Sequence, residues 1–462
     1  MGVISIDPPA SVRALMDRLW SHGHAAYVVG GSVRDALLGR PALDWDLATD
    51  ARPDRLLAVF PGAVYENQFG TVAVREGDAV HEVTTFRSDH DYADFRRPHH
   101  VEFGDDLELD LARRDFTVNA IAWGAPAAEG APGGGSLSSG GASKPALVDP
   151  FGGAVDIERR LLRAVGDPPA RFQEDALRMV RAVRLAAVLD FVIEPATLGA
   201  IRANAALVAH VSGERLAAEL NKLLAADRPS AGLRLMAQTG LLAVVLPELE
   251  AQRGVPQNKV EGEDLFDHTL RTVDAAPAGR PVVRLAALLH DLGKPTTIDD
   301  GPFRGHEVVG ADMAEGLLDR LHLPRAAVAS VVHLVRNHMF TYEPDWGDAG
   351  VRRFIQRVGA EAIDDLFALR EADNVGSGVP VDAHHLDHFK ARVAAELAAS
   401  VVLDRSRLAI DGDDLMSELG LPQGPRLGRI LDDLVERVIA EPKLNDRATL
   451  LLLAESMLAD ES

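Results

Sequence analysis

Residues Tyr27–Asp50, YVVGGSVRDALLGRPALDWDLATD, place two glycines, an arginine and an Asp-x-Asp within one short stretch. The run AAYVVGG predicts a buried strand that ends in a turn, and VRDALLG predicts the helix that follows it. DWDLATD predicts a second strand. Side chains two apart on a strand share a face, so Asp44 and Asp46 are expected to converge. Two carboxylates held together repel unless a cation lies between them. Mg²⁺ prefers oxygen ligands of this kind and commonly shares them with substrate phosphates. Gly30 and Gly31 let backbone approach a triphosphate, while Arg34 and a helix N-terminus add positive potential. The stretch therefore supplies both a phosphate cradle and a metal clamp. Glu82, on the strand AVHEVTTFR, is a candidate third carboxylate and equally a surface residue of a hairpin.

A second chemical pattern is EDALRMVRAVR. At 100° per residue, Arg178, Arg181 and Arg184 occupy one side of a predicted helix, with Met179, Val183 and Ala186 opposite. Such a helix suits a polyphosphate and a base. Asp175 and Arg178 are i and i+3 neighbours on that helix. A carboxylate accepts and a guanidinium donates. Adenine and cytosine each present an amino donor beside a ring-nitrogen acceptor, so this pair matches them and mismatches guanine and uracil.

A third pattern is histidine with aspartate: LFDHTL, LAALLHDLGKP, GHEVVGADMAE, VRNHM and READN, all on predicted helices. His268, His290, Asp291 and Asp373 form an ordered H…HD…D series whose N and O donors suit a divalent cation. His306 and His338 are candidates for a second metal or for phosphate binding. Lys294 is expected to be a solvated lysine, with contact to a substrate phosphate as the alternative.

These patterns sit in a chain of 462 residues, 47% hydrophobic, long enough for several domains. It contains no cysteine, which excludes disulfides and thiolate metal sites and suits a reducing cytoplasm. No apolar run reaches membrane-spanning length, and the N-terminus lacks a signal-peptide pattern. The net charge of −22 opposes general nucleic-acid binding. The charge is uneven, however: residues 150–240 hold 12 Lys/Arg against 10 Asp/Glu, whereas residues 241–462 hold 23 against 38. A local basic groove in the middle segment can still bind a polyanion.

Strands mixed with helices predict an α/β head over residues 1–166, including a hairpin around Gly77-Asp78. Residues 124–146 are rich in Gly, Ala, Ser and Pro and read as a disordered surface insert. Residues 87–103, charged and aromatic without a period, read as a mobile loop. Everything after about Asp167 reads as helical: a neck (167–247), a body (248–400) and a Leu-rich tail (401–462). The fold class is therefore α+β.

GGSVRD followed by DWD resembles the head of class II tRNA nucleotidyltransferases, the CCA-adding enzymes and their poly(A) polymerase relatives. DLARRDFTVNA (110–120), RFQEDALRMVRAVRLAA (171–187) and GERLAAELNKLL (213–224) resemble that family's later motifs in the same order. The resemblance implies that Gly30, Gly31, Arg34, Arg114, Asp175, Arg178, Arg181 and Arg184 contact the nucleotide and that Asp44 and Asp46 are catalytic and hold Mg²⁺. It implies that the Asp175–Arg178 pair acts as template for CTP and ATP, with tRNA as the acceptor. It also implies that residues 87–103 help switch from C to A addition. Residues 264–376 resemble HD-domain phosphohydrolases, implying His268, His290, Asp291 and Asp373 as ligands of a second divalent metal. A cytoplasmic CCA-adding enzyme is the function these resemblances imply. A poly(A) polymerase shares the head motifs, but the acidic C-terminal segment disfavours it. A CC- or A-adding enzyme and, from another class, a phosphohydrolase with an RNA-binding head are the remaining alternatives.

Overall fold

A computed structural model describes residues 6–460 except 43, 67–69, 93–97, 128–143, 258, 299–302 and 400–403. The chain divides into two compact units, residues 1–247 and 248–462.

The first unit opens with α1 (Ala10–Ser21), β1 (Ala26–Val29), α2 (Gly31–Leu37), β2 (Asp46–Thr49) and α3 (Pro53–Val59). There follow β3 (Val64–Tyr65), β4 (Thr71–Glu76), β5 (Ala79–Thr85), β6 (Arg87–Tyr92) and β7 (Pro98–Phe103). Then come α4 (Leu107–Ala112), β8 (Ala122–Ala125), β9 (Ala146–Val148) and α5 (Gly153–Glu158). Seven strands form one sheet in the order β3-β4-β5-β2-β1-β8-β9. Within this sheet, among the described residues, only β2 and β5 run parallel, with Leu47 opposite Val83. β1 is wholly buried, which its apolar sequence AYVV requires.

Residues 87–103 are not simply a loop: β6 and β7 pair antiparallel, with Arg87 opposite Phe103. The charged and aromatic side chains hid a two-stranded ladder because neither face is uniformly apolar. The expectation of disorder across 124–146 fails at both ends, because Gly124 and Ala125 end β8 and Ala146 begins β9, with Gly124 paired to Ala146. Residues 128–143 lie outside the described residues. The neck is not wholly helical either, since β10 (Leu161–Leu162) and β11 (Val192–Ile193) pair in parallel.

The helices after β10 are α6 (Pro168–Glu174), α7 (Leu177–Leu189), α8 (Pro195–Asn204), α9 (Gly213–Leu224), α10 (Pro229–Thr239) and α11 (Leu241–Val245). The single helix predicted through EDALRMVRAVR is divided between α6 and α7. Asp175 interrupts them in an extended conformation (φ −147°, ψ 103°). Its carboxylate accepts from the Leu177 N–H at 3.1 Å, capping the start of α7. α7 buries Met179, Val183 and Ala186, as its period predicts. α12 (Pro247–Glu250) marks the division between the units.

The second unit is helical among its described residues: α13 (Leu265–Ala275), α14 (Pro281–Leu289), α15 (His306–Arg320), α16 (Arg325–Asn337), α17 (Asp348–Val358), α18 (Ile363–Gly376) and α19 (Leu386–Ala398). α20 (Gly412–Leu419), α21 (Pro425–Ala440) and α22 (Arg447–Asp460) follow and share an apolar cluster around Leu415, Leu434 and Leu450. The start expected for the tail, residue 401, lies outside the described residues. α14 is buried from Val283 to Leu289, so it forms the axis of the bundle. An Asp264–Asp267 capping box fixes the start of α13 and hence the height of His268. No helix among the described residues is long and apolar enough to cross a membrane.

Candidate active site and metal centre

A cleft of about 740 Å³ opens in the first unit. Its walls include Gly30, Gly31 and Arg34 from the β1–α2 turn, and Asp44 and Asp46 from the approach to β2. Arg114 follows α4; Asp175, Arg178, Arg181 and Arg184 come from the α6–α7 break and from α7. All ten nucleotide and metal candidates of the first unit thus line one cavity.

The turn is built around its glycines. Gly30 has φ +76°, and a Cβ there would lie 2.9 Å from Arg114 Nη1. Any side chain would both strain the turn and displace a cleft arginine. Arg34 donates to the Asn119 side-chain oxygen at 2.6 Å and to Asp35 at 2.9 Å, so its guanidinium is fixed. The Nε of Arg114 is buried without a hydrogen-bond partner, while its Nη2 reaches Asp110 at 3.4 Å.

Asp44 precedes β2 rather than lying in it, and Asp46 is the first residue of the strand. Both side chains open into the cleft. Loss of surrounding water pushes the Asp46 carboxyl above the ordinary range; Arg114 opposes this and Asp44 adds to it. Glu82 on β5 is likewise raised, by lost hydration first and then by Asp46, Glu66 and Asp44. Carboxyls that have lost hydration and stand near other carboxyls are what a bound cation relieves. Glu82 stands next to the pair but is not part of the cleft wall.

The Asp175–Arg178 pair is not formed. Asp175 accepts from Arg215 Nη2 at 2.7 Å, from α9. Arg178 instead donates to Glu174 at 2.7 Å and to the Arg113 carbonyl at 3.0 Å. The helix break turns Asp175 away from the i+3 position that a continuous helix would give it. Both residues still face the cleft.

Sequence reasoning singled out Arg114 in DLARRDFTVNA and missed Asp115 and Asn119 beside it. Asp115 accepts from Asn119 at 3.1 Å and from Arg181 at 3.1 Å. Burial opposes its ionisation, but Arg181 and Asn119 prevail and hold its carboxyl below the usual range. Glu219, 3% exposed on α9, accepts from Arg184 Nε at 2.5 Å and lies 3.5 Å from Arg181. Arg215 and Glu219 both lie in GERLAAELNKLL, where an apolar helix face interrupted by Glu was the available signal.

The second unit gathers all six of its candidates in the core. His268, His290 and Asp373 form one group of convergent donors, and Asp291, His306 and His338 another. His268 Nε2 and His290 Nε2 are 3.2 Å apart; His306 Nε2 and His338 Nε2 are 3.3 Å apart. Asp291 lies between the groups, 3.1 Å from His290 and 3.3 Å from His306. The Nδ1 atoms of His290, His306 and His338 each face a backbone carbonyl at 2.7–2.8 Å. A carbonyl accepts only, so these Nδ1 atoms carry protons and Nε2 presents its lone pair inward. Burial lowers the proton affinity of His290, keeping it a neutral ligand. Asp291 Oδ1 is buried with no hydrogen-bond partner. Lone pairs and carboxylate oxygens pointing at one another are resolved by divalent cations, and the donor set fits two. Gly293 lets the turn after Asp291 pack on α15; a Cβ there would fall 2.3 Å from the His306 carbonyl. Lys294 is not solvated: it is 6% exposed and donates to Asp291 at 2.6 Å.

Family models match the regions that hold both sites. The Poly A polymerase head domain matches residues 26–163, the probable RNA and SrmB-binding site of polymerase A matches 190–253, and the HD domain matches 265–376. A CCA-adding enzyme of Geobacillus stearothermophilus is 46% identical over 94% of this chain and 93% of its own. An A-adding tRNA nucleotidyltransferase of Deinococcus radiodurans is 34% identical over 89% and 91%. The crystal structure of a Bacillus stearothermophilus CCA-adding enzyme in complex with CTP superposes with a TM-score of 0.71 at 30% identity, covering 99% of both chains. With its glycine turn, paired aspartates and arginine-lined helix in one cleft, the chain belongs to the CCA-adding enzyme family of tRNA nucleotidyltransferases.

Proposed function

We propose that the protein adds C, C and A to the 3′ end of tRNA from CTP and ATP, without a nucleic-acid template, in the cytoplasm. The observation that carries this reading is the joining of Asp44, Asp46, Arg34 and the arginines of α7 in one cleft. Asp44 and Asp46 would hold Mg²⁺, which lowers the charge on the α-phosphate and activates the tRNA 3′-hydroxyl. Arg34, fixed by Asp35 and Asn119, takes the phosphate chain beside the glycine turn. Arg178 and Asp175 offer the base edge a donor and an acceptor, each held from behind by Glu174 and Arg215. Preorienting both groups in this way lets the protein discriminate bases with little reorganisation. Incubation of truncated tRNA with all four nucleotides, followed by sequencing of the 3′ ends, tests the reading. Ends in CCA are expected; runs of A, or addition of A alone, would assign the poly(A) or A-adding alternative.

For the second unit we propose a divalent-metal phosphoesterase centre, on the two buried His/Asp groups bridged by Asp291. Metal-dependent release of phosphate or nucleoside from model esters, lost in His290→Ala with CCA addition intact, tests it.

A further inference from the structure

Three cationic side chains surround the two carboxylates of the His/Asp centre. Lys294 is 2.6 Å from Asp291. Arg370 and Lys259 lie 3.6 and 3.7 Å from Asp373. Adding divalent ions to this set leaves a marked excess of positive charge in a buried place, so the centre is completed by an anion.

The three cations are not equivalent. Lys294 is buried and packs its ammonium 5.5 Å from the Phe303 ring centre. The Arg370 side chain is 13% exposed. The Lys259 side chain is 34% exposed and comes from the connection between α12 and α13. That connection is tied at its base, where Gly254 N–H donates to Asp264 at 2.7 Å and Leu265 N–H to the Val255 carbonyl at 2.8 Å. From it, Gln257 donates to Asp291 at 3.3 Å. Lys259 donates to Ser377 Oγ at 2.8 Å and stays beyond hydrogen-bond range of Asp373. Its ammonium therefore stands at the solvent side of the centre on a neutral hydroxyl, with donor capacity left for an incoming oxyanion.

We propose that Lys259 is the residue of this centre that recognises the phosphate of its substrate. The inference rests on the phosphoesterase reading above and assigns its ligand contact. An ammonium on a flexible stem acts as a point charge, so it favours a dianionic phosphomonoester over a monoanionic diester.

The test uses the full-length protein loaded with Mn²⁺ and the variants Lys259→Gln and Lys259→Arg. Bound metal is counted, inorganic phosphate binding is measured by calorimetry, and 4-nitrophenyl phosphate and bis(4-nitrophenyl) phosphate are the ester probes. Lys259→Gln is expected to keep its metal, weaken phosphate binding on the order of tenfold, and raise KM for the monoester more than for the diester. Its kcat is expected to change little, and Lys259→Arg to recover most of the affinity. Unchanged phosphate affinity and KM in Lys259→Gln overturn the proposal and leave the phosphoesterase reading standing. Loss of metal in that variant also overturns it, since Lys259 would then serve to hold Asp373. If the wild type hydrolyses neither ester but loses phosphate affinity on Lys259→Gln, the phosphoesterase reading fails and the recognition role stands. If the wild type binds no phosphate at all, both fail.

Discussion

The Asp175 carboxylate accepts from Arg215 at 2.7 Å, although Arg178 is the arginine three residues along the chain. α9 therefore sets the direction of a residue that lies between α6 and α7. A charged hydrogen bond of this kind contributes about 2 kcal/mol. Arg215→Ala is expected to lower kcat/KM for CTP and ATP together, by roughly tenfold or more, while Arg215→Lys restores part of it. Steady-state kinetics with truncated tRNA check this; unchanged values would show that Asp175 keeps its place without Arg215.

Arg178 and Arg184 are expected to differ. Arg178→Ala should narrow the advantage of CTP and ATP over GTP and UTP. Arg184 is anchored on the buried Glu219, so Arg184→Ala should slow all four nucleotides alike. An equal loss for all four nucleotides in Arg178→Ala would move base selection to another residue.

Asp44→Ala and Asp46→Ala should each reduce nucleotide addition by on the order of 10²-fold or more, with tRNA affinity within severalfold of the wild type. Filter binding beside single-turnover addition separates the two effects. Near-normal turnover in either variant would remove that residue from the metal site.

Asp115 carries a pH prediction. Its carboxyl is held below the unfolded value of about 3.9, so its ionised form stabilises the fold above that pH. The contribution is lost as pH falls through the native value. Asp115→Asn leaves Arg181 short of its partner and is expected to cost about 3 kcal/mol near neutrality. The gap between wild type and variant in urea unfolding should be flat above about pH 5 and shrink in acid. A gap independent of pH down to pH 3 would show that the charge of Asp115 does not stabilise the fold.

Residues 128–143 join two adjacent antiparallel strands, Gly124 opposite Ala146, a span that a loop of about two to five residues can close. Replacing them with a short Gly-Ser turn should leave the melting temperature and CCA addition unchanged. A large loss in either would give the segment a functional role.

The chemistry of both centres was legible in the chain, because the donors lie in short stretches whose local structure is set locally. GGSVRD is a strand–turn–helix whichever way the chain packs, and α7 shows its apolar and arginine faces through its own period. The H…HD…D series likewise fixed the donor types before their positions. The pairing partners emerged only from the packing of the folded chain. Asp175 turned to Arg215 because backbone capping at Leu177 broke the expected helix, and Glu219 became the anchor of Arg184 only when α9 packed on α7. Lys294 was buried because Asp291 and the close α15 packing allowed by Gly293 enclosed it. Ion pairs between residues distant in sequence leave no local pattern, since their partners are selected by burial and distance in the folded chain.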